Sequence, residues 1–249
     1  MMKSIIIILY PLLITSLSLS EEPIAILIQA TGHTSRCMSD DCDSVYPGSL
    51  LFKDDALVTS KDSFTKIRFL ENSMDVMVYD KSKLIINGSR KEEGFEESIM
   101  VSYGNVFVGS VGSKNTIETP HISLSNYIPS TIYITIDKNN NEKVYMISGE
   151  VVLRESGFFD ADTLVYGGSL ILFNNKSVTF SSSPRRVVKS IINNQILHNV
   201  DIPAEILKEY SLISSVGELQ PEPGMITIPL RSSSGEFKSL IIEYYINEK

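Results

Sequence analysis

The chain has 249 residues, 43% of them hydrophobic, with 22 basic side chains against 30 acidic ones and a formal charge of −8. That length supplies one large core or two modest ones. The acidic balance repels phosphate backbones and anionic membrane surfaces, so nucleic-acid binding is not expected.

Met1-Met2-Lys3 opens the chain, followed by a mostly apolar run from Ile5 to Leu19 that is interrupted by Pro11, Thr15 and Ser16. The run falls short of the roughly 18–20 residues that a transmembrane helix needs. Ser18-Leu19-Ser20 puts small residues at the positions a signal peptidase reads, and Glu21-Glu22 begins a polar chain. Residues 1–20 therefore read as a removed signal peptide, the alternative being an uncleaved membrane anchor. No cysteine lies at this junction, which argues against a lipid anchor there.

Two cysteines follow, in Cys37-Met38-Ser39-Asp40-Asp41-Cys42. In an oxidising compartment such a pair closes a small loop, contributing about 2 kcal/mol in the chain-entropy picture. Free thiols are a second state, and Asp40, Asp41 and Asp43 beside the sulfurs suggest metal as a third. A structural zinc site wants four nitrogen or sulfur ligands, however, and no second Cys or His pair follows. The disulfide is the preferred reading.

From Ile24 to about Phe180 the pattern is short apolar runs bounded by Gly, Asn, Asp and Ser. Lys66–Phe69 alternates polar and apolar residues, and Ile132–Ile136 puts isoleucines on one face with Tyr133 and Thr135 on the other. Val76–Tyr79, Leu84–Ile86, Val144–Ile147, Val151–Leu153 and Leu170–Phe173 are further runs of strand length. Turns are expected at Asn87-Gly88, ahead of a charged, flexible stretch from Ser89 to Glu97, at Asp137–Glu142 and at Gly167-Gly168. The expected fold is mainly β, a sandwich, a roll or a short solenoid of stacked hairpins, over residues 21–184.

Past Pro184 the pattern changes. Val187, Val188, Ile191, Ile192, Ile196 and Leu197 form a helical stripe within Arg185–Val200. Asp201-Ile202-Pro203 reads as a second helix start. Leu219–Gly224 is a stiff linker, and Met225–Leu230 with Leu240–Ile246 form a last hairpin in which Pro229 points to a sheet edge. Residues 185–249 make a small C-terminal α+β appendage.

Six segments, taken in order, resemble the FecR family domain. Tyr46-Pro47-Gly48 before Leu57-Val58-Thr59 is similar to its opening glycine turn and strand. Phe69–Ser73, Val76-Met77-Val78 and Ser82–Ile86 resemble its turn, hairpin and following strand, with Asn72 where the family has glycine. Val101–Val108 carries Gly104 of a "G-x-v-f-v" run, Thr116–Pro120 ends in the Thr119-Pro120 signature, and Tyr145–Leu153 carries Gly149 of the closing strand pair. Ser130–Tyr133 departs from the Gly-Thr-x-Phe that often follows the signature. The resemblance covers roughly residues 45–155. It implies a β-domain of the bacterial envelope, in the periplasm or on the cell surface, with Gly104, Thr119, Pro120 and Gly149 as fold residues. Transmembrane members carry a cytoplasmic segment that handles a sigma factor. Here the domain directly follows a signal peptide, so direct anti-sigma activity is not expected.

Chemistry is sparse. His33, His121 and His198 are widely spaced, and no serine sits in Gly-x-Ser-x-Gly. Gly104 and Gly109 have the opening spacing of a phosphate loop without its Gly-Lys-Ser/Thr. Asp137, Asn139 and Asn141 match three calcium-loop positions, but Glu142 takes the required glycine position and Ser148 the bidentate-acid position. Asp54-Asp55 and Asp160/Asp162 read as solvated loop acids. No catalytic residue, cofactor or metal is expected. The expected role is a non-catalytic interaction, signalling or scaffold module that binds an envelope protein. The alternative is a cell-surface module for a glycan or small ligand, to which the eleven tyrosines would contribute contacts.

Overall fold

The protein is described from a computed structural model covering residues 22–38, 41–71, 74–91, 94–110, 115–155, 162–174, 177–198, 202 and 204–210, with residues 224–231 and 237–244 as backbone ladders. The signal segment expected at 1–20, the cap residues Asp201 and Pro203, and the linker before Gly224 lie outside the described residues.

The first half contains β1 (Ala25–Thr31), β2 (Thr34–Met38), β3 (Asp41–Ser44), β4 (Leu50–Leu51), β5 (Ala56–Thr59), β6 (Phe64–Phe69), β7 (Asp75–Val78), β8 (Lys83–Lys91) and β9 (Gly94–Ser110). Then come β10 (Asn115–Glu118), β11 (Ile122–Asn126), β12 (Ser130–Ile136), β13 (Glu142–Ser148), β14 (Glu150–Glu155), β15 (Thr163–Tyr166), β16 (Ser169–Asn174) and β17 (Ser177–Ser182). Helices α1 (Arg185–Leu197) and α2 (Ala204–Glu209) follow, and β18 (Gly224–Arg231) and β19 (Phe237–Tyr244) form a separate two-stranded sheet.

Pairing sorts β1–β17 into two facing sheets. The front sheet runs β4–β1–β6–β7–β9–β12–β13–β16–β17, antiparallel throughout. The back sheet runs β3–β2–β5–β8–β9–β10–β11–β14–β15, with only β9 and β10 parallel. The chain lays hairpins alternately on the two layers, so the mainly β expectation holds in the form of stacked hairpins. Side chains of period two fill the space between them. Ile132, Ile134 and Ile136 of β12 meet Val144 and Met146 of β13, and from the back sheet come Leu84, Ile99, Leu124, Val151 and Leu153.

Two glycines explain how the layers connect. Up to Tyr103, β9 pairs with β8 in the back sheet; from Gly104 onward it pairs with β12 in the front sheet. Gly104 bends the strand there with φ +95°, and a Cβ on it would lie 2.1 Å from Ser82 Oγ and 2.5 Å from Ser82 Cα. Gly149 does the same between β13 and β14, with φ +81° and its missing Cβ 2.3 Å from the Pro129 carbonyl oxygen. Only glycine combines that backbone angle with that clearance.

One expected turn is corrected. Asn87 and Gly88 lie within β8, paired with Ser98 and Glu97 of β9, and the strand continues to Lys91. The local preference of Asn-Gly for a turn yields here to a long two-strand ladder, and of the charged stretch, Ser89–Lys91 and Gly94–Glu97 are strand. The other two turns stand where expected. Asp137 Oδ1 accepts the Asn139 N–H at 2.7 Å and the Asn141 N–H at 3.0 Å, with Asn140 at φ 57°. Gly167 and Gly168 connect β15 to β16.

The outer face of the front sheet carries a second apolar cluster, Phe64, Met77, Tyr79, Phe107, Tyr145, Ile147 and Leu170. Val188, Ile191 and Ile192 of α1, Ile206 of α2 and Tyr210 complete it. Val188, Ile191 and Ile192 of the helical stripe seen in the sequence cover this layer with Ile196 partly buried against it, whereas Val187 and Leu197 of the same stripe are exposed.

Candidate interaction surface

Cys37, Cys42, Thr119 and Pro120 lie in hairpin and turn positions of the sheets. Cys37 and Cys42 form a disulfide between directly opposed positions of β2 and β3, so the sulfurs are not available as metal ligands. Thr119 and Pro120 shape the turn from β10 to β11. There Thr119 Oγ1 accepts the Ile122 N–H at 3.1 Å and donates to Glu142 Oε2. Glu142 belongs to β13 of the front sheet and its side chain is fully buried. Its other oxygen meets His121 Nδ1 at 2.7 Å, and the imidazole stacks on Phe173 with centroids 4.1 Å apart. The signature turn is thus a polar clasp between the layers.

Glu142 was missed as a structural partner because it was weighed only as a calcium-loop position. The signal was its parity: Glu142, Val144 and Met146 share the inward face, and an acid there must find donors. A shallow groove beside the clasp is lined by Glu118, Pro120, His121, Ser123 and Arg154. Arg154 is committed to Asp162 through a two-pronged ion pair, Nε–Oδ1 2.8 Å and Nη2–Oδ2 2.9 Å. Hydrogen bonding from Arg154 holds the Asp162 carboxyl below its usual range.

The other candidates disperse. Asp137 spends its carboxylate on the backbone N–H groups of its own turn and on the Asn141 amide. Asp55 is buried and accepts the Phe52 N–H at 2.7 Å, while Asp54 sits beside it in a turn at φ 67°. His33 touches Ser35 at 3.1 Å, and His198 stacks on Phe64, so the three histidines serve three separate places. Asp160 lies outside the described residues.

What the fold does present is two unlike ends. At one, the back sheet finishes on β3, whose four residues are all exposed, with Asp41 and Asp43 flanking the disulfide-bonded Cys42. The front sheet finishes there on β4, two residues long. Charge, a crosslink and shortness all discourage further strand pairing. At the other end β15 pairs with β14 and β17 with β16, and neither strand contains a charged residue. Large side chains there are open to solvent: Leu164 is 46% exposed, Tyr166 56% and Phe180 45%. The loop carrying Tyr127 and Ile128, 53% and 41% exposed, follows β11, a near neighbour of β15 in the back sheet.

No family model and no curated protein sequence matches the chain. Two crystal structures of a proposed anti-sigma factor from Parabacteroides distasonis are similar to it, each with a TM-score of 0.46 and 8% identity. The 2.50 Å structure aligns over 55% of this chain and 63% of its own, less than two thirds of that neighbour's length. The 1.65 Å structure aligns over 77% and 99%.

Proposed function

We propose that this chain is a non-catalytic module of the bacterial envelope, exported behind a cleaved signal segment, that holds a protein partner at the β15/β17 end. The partner contributes an extended segment that adds to one of these strands. The observation that carries the reading is the contrast between an edge strand that carries acids beside a disulfide, β3, and two edge strands with no charged residue that expose Leu164, Tyr166 and Phe180. Unpaired strand edges offer main-chain hydrogen bonds to an incoming strand, and exposed aromatic residues beside them supply the anchoring contacts.

The test is in-cell crosslinking of the tagged chain, followed by fractionation and mass spectrometry, run beside a Tyr166→Lys/Phe180→Lys variant. A single stoichiometric envelope protein, held by the natural chain and lost from the variant, is the expected outcome. A partnerless protein, or capture unchanged in the variant, overturns the reading. Thermal stabilisation by uncharged cell-wall saccharides without any protein partner would replace it with the glycan alternative.

A further inference from the structure

Strands β18 and β19 form a sheet of their own, in register from Gly224↔Tyr244 to Arg231↔Phe237. Two strands alone are marginally stable in water and need a further strand or layer. Opposed residues of an antiparallel pair share a face, which puts Ile226, Ile228, Leu240 and Ile242 on one side of the hairpin. Pro229 of β18 has no N–H to give a neighbouring strand, so β18 suits an outermost position. In contrast, β19 has no proline, and its centre, Ser239–Ile242, is uncharged. The hairpin has the makeup of an addition to a neutral sheet edge through β19.

The edge at β17 matches it. Among the described strands β17 pairs with β16 alone. Val178 and Phe180 stand opposite Phe173 and Ile171 of the interlayer core; Val178 packs against that core, and Phe180 is 45% exposed. The inward-facing apolar layer therefore runs out at this strand. The chain also leaves α2 at this corner. Ser183, next after β17, is tied to the turn between β15 and β16, its N–H donating to the Gly168 carbonyl at 2.7 Å and its hydroxyl to the Ser169 carbonyl at 2.8 Å. Two residues on, Arg185 donates to the Glu209 carbonyl and lies over the Tyr210 ring, 5.8 Å from its centroid. From Tyr210, residues 211–223 span at most about 50 Å to Gly224. A tether of that length presents the hairpin to the β17 edge at an effective concentration of about a millimolar.

We propose that the β17 edge has an occupant within its own chain: the C-terminal hairpin adds to it through β19, in the order β17–β19–β18. The face with Ile226, Ile228, Leu240 and Ile242 continues the interlayer core, and Pro229 guards the new margin. The separate hairpin and the bare edge are the open form of the same device. The inference rests on the reading of β17 as a strand-accepting edge and adds that an incoming partner must displace the hairpin.

Hydrogen exchange of the full chain, resolved at single amides by NMR, tests this. On a bare edge strand alternate N–H groups point to solvent and exchange freely, whereas on a covered strand all are held. In the natural chain every amide from Val178 to Ser181 should be slowed by at least about tenfold. Ile241→Pro, which removes a donor from β19, should free alternate ones while β12 and β13 keep their protection. Ile228→Asp/Ile242→Asp charges the apolar face and serves where the proline variant does not fold. In-cell capture of an envelope protein should rise at least about threefold in either variant. Bare-edge exchange in the natural chain overturns the proposal, as does protection that survives both variants. So does protection that grows with protein concentration, which would put a second copy's hairpin on the edge. The partner reading fails separately. Capture that depends on Tyr166 and Phe180 beside a bare β17 keeps that reading and sinks this one; a hairpin-covered β17 with nothing captured by any variant does the reverse.

Discussion

The two ends of the sandwich are made from the same hairpin unit and finished in opposite ways. Where β3 and β4 terminate the sheets, the chain uses acids, a crosslink and brevity. Polar pairing continues inward, with Asp75 on β7 taking Arg68 at 2.6 Å and Lys66 at 3.1 Å. Where β15 and β17 terminate them, the strands are neutral and carry Leu164, Tyr166 and Phe180 in the open. A stacked-hairpin fold needs its ends closed against unwanted pairing. On the proposed function the first end serves stability and the second recognition, and substitutions should separate the two.

The largest effect on folding should come from the crossing on which both ends depend. Gly104→Ala forces a Cβ into Ser82 and strains a left-handed backbone, so a loss of about 3 kcal/mol or more in urea unfolding is expected. A loss below about 1 kcal/mol would mean that β9 can change sheets without the tight bend.

Next is the polar network at the guarded end. Asp75→Asn leaves Lys66, 7% exposed, as a buried cation without its counter-charge, at a cost of about 3 kcal/mol. Burial pushes the Asp75 carboxyl up, but the Arg68 hydrogen bond and the Lys66 and Arg68 charges outweigh it and hold the group below 3.8. The stability it contributes is therefore present above about pH 4 and lost as pH falls through the lowered folded value. The natural chain and Asp75→Asn should differ in unfolding midpoint at pH 7 and converge as the pH is lowered towards about 3.

A smaller effect belongs to the crosslink. Cys37→Ser/Cys42→Ser should lower stability by about 2 kcal/mol, with faster amide exchange confined to β2 and β3. Equal loosening of β15 and β17 would erase the distinction between the ends.

The layers were legible in the sequence because burial on one side writes a period of two, as at Ile132, Ile134 and Ile136. The helix was legible because burial on one stripe writes Val188, Ile191 and Ile192. The disulfide followed from two cysteines in a short loop. Three things were not legible, all for reasons of distance. Which sheet the helix covers depends on Phe64 and Tyr145 meeting residues more than forty positions away. Glu142 finds Thr119 and His121 only once the layers close. At Asn87-Gly88 a local turn preference loses to pairing that continues beyond it. The open end was equally hidden, since an edge is defined by pairing, and no residue of β15 shows that β14 is its one partner among the described strands.

The smallest effect on folding is the one that bears most on function. Tyr166 and Phe180 are about half exposed at the sheet margins, so replacing both with lysine removes little buried contact and should move the unfolding free energy by no more than about 0.5 kcal/mol per site. The same change puts charge on two edges that have none, which is how natural sheets discourage strand addition. If the comparison of the ends is right, partner capture falls by at least about tenfold while the melting curve barely shifts, since loss of one aromatic anchor is worth upward of about 1.4 kcal/mol. Lysines placed at Asp41 and Asp43 should leave capture intact. Were the two pairs of substitutions to affect capture equally, binding would follow net charge over the whole surface rather than the open edge.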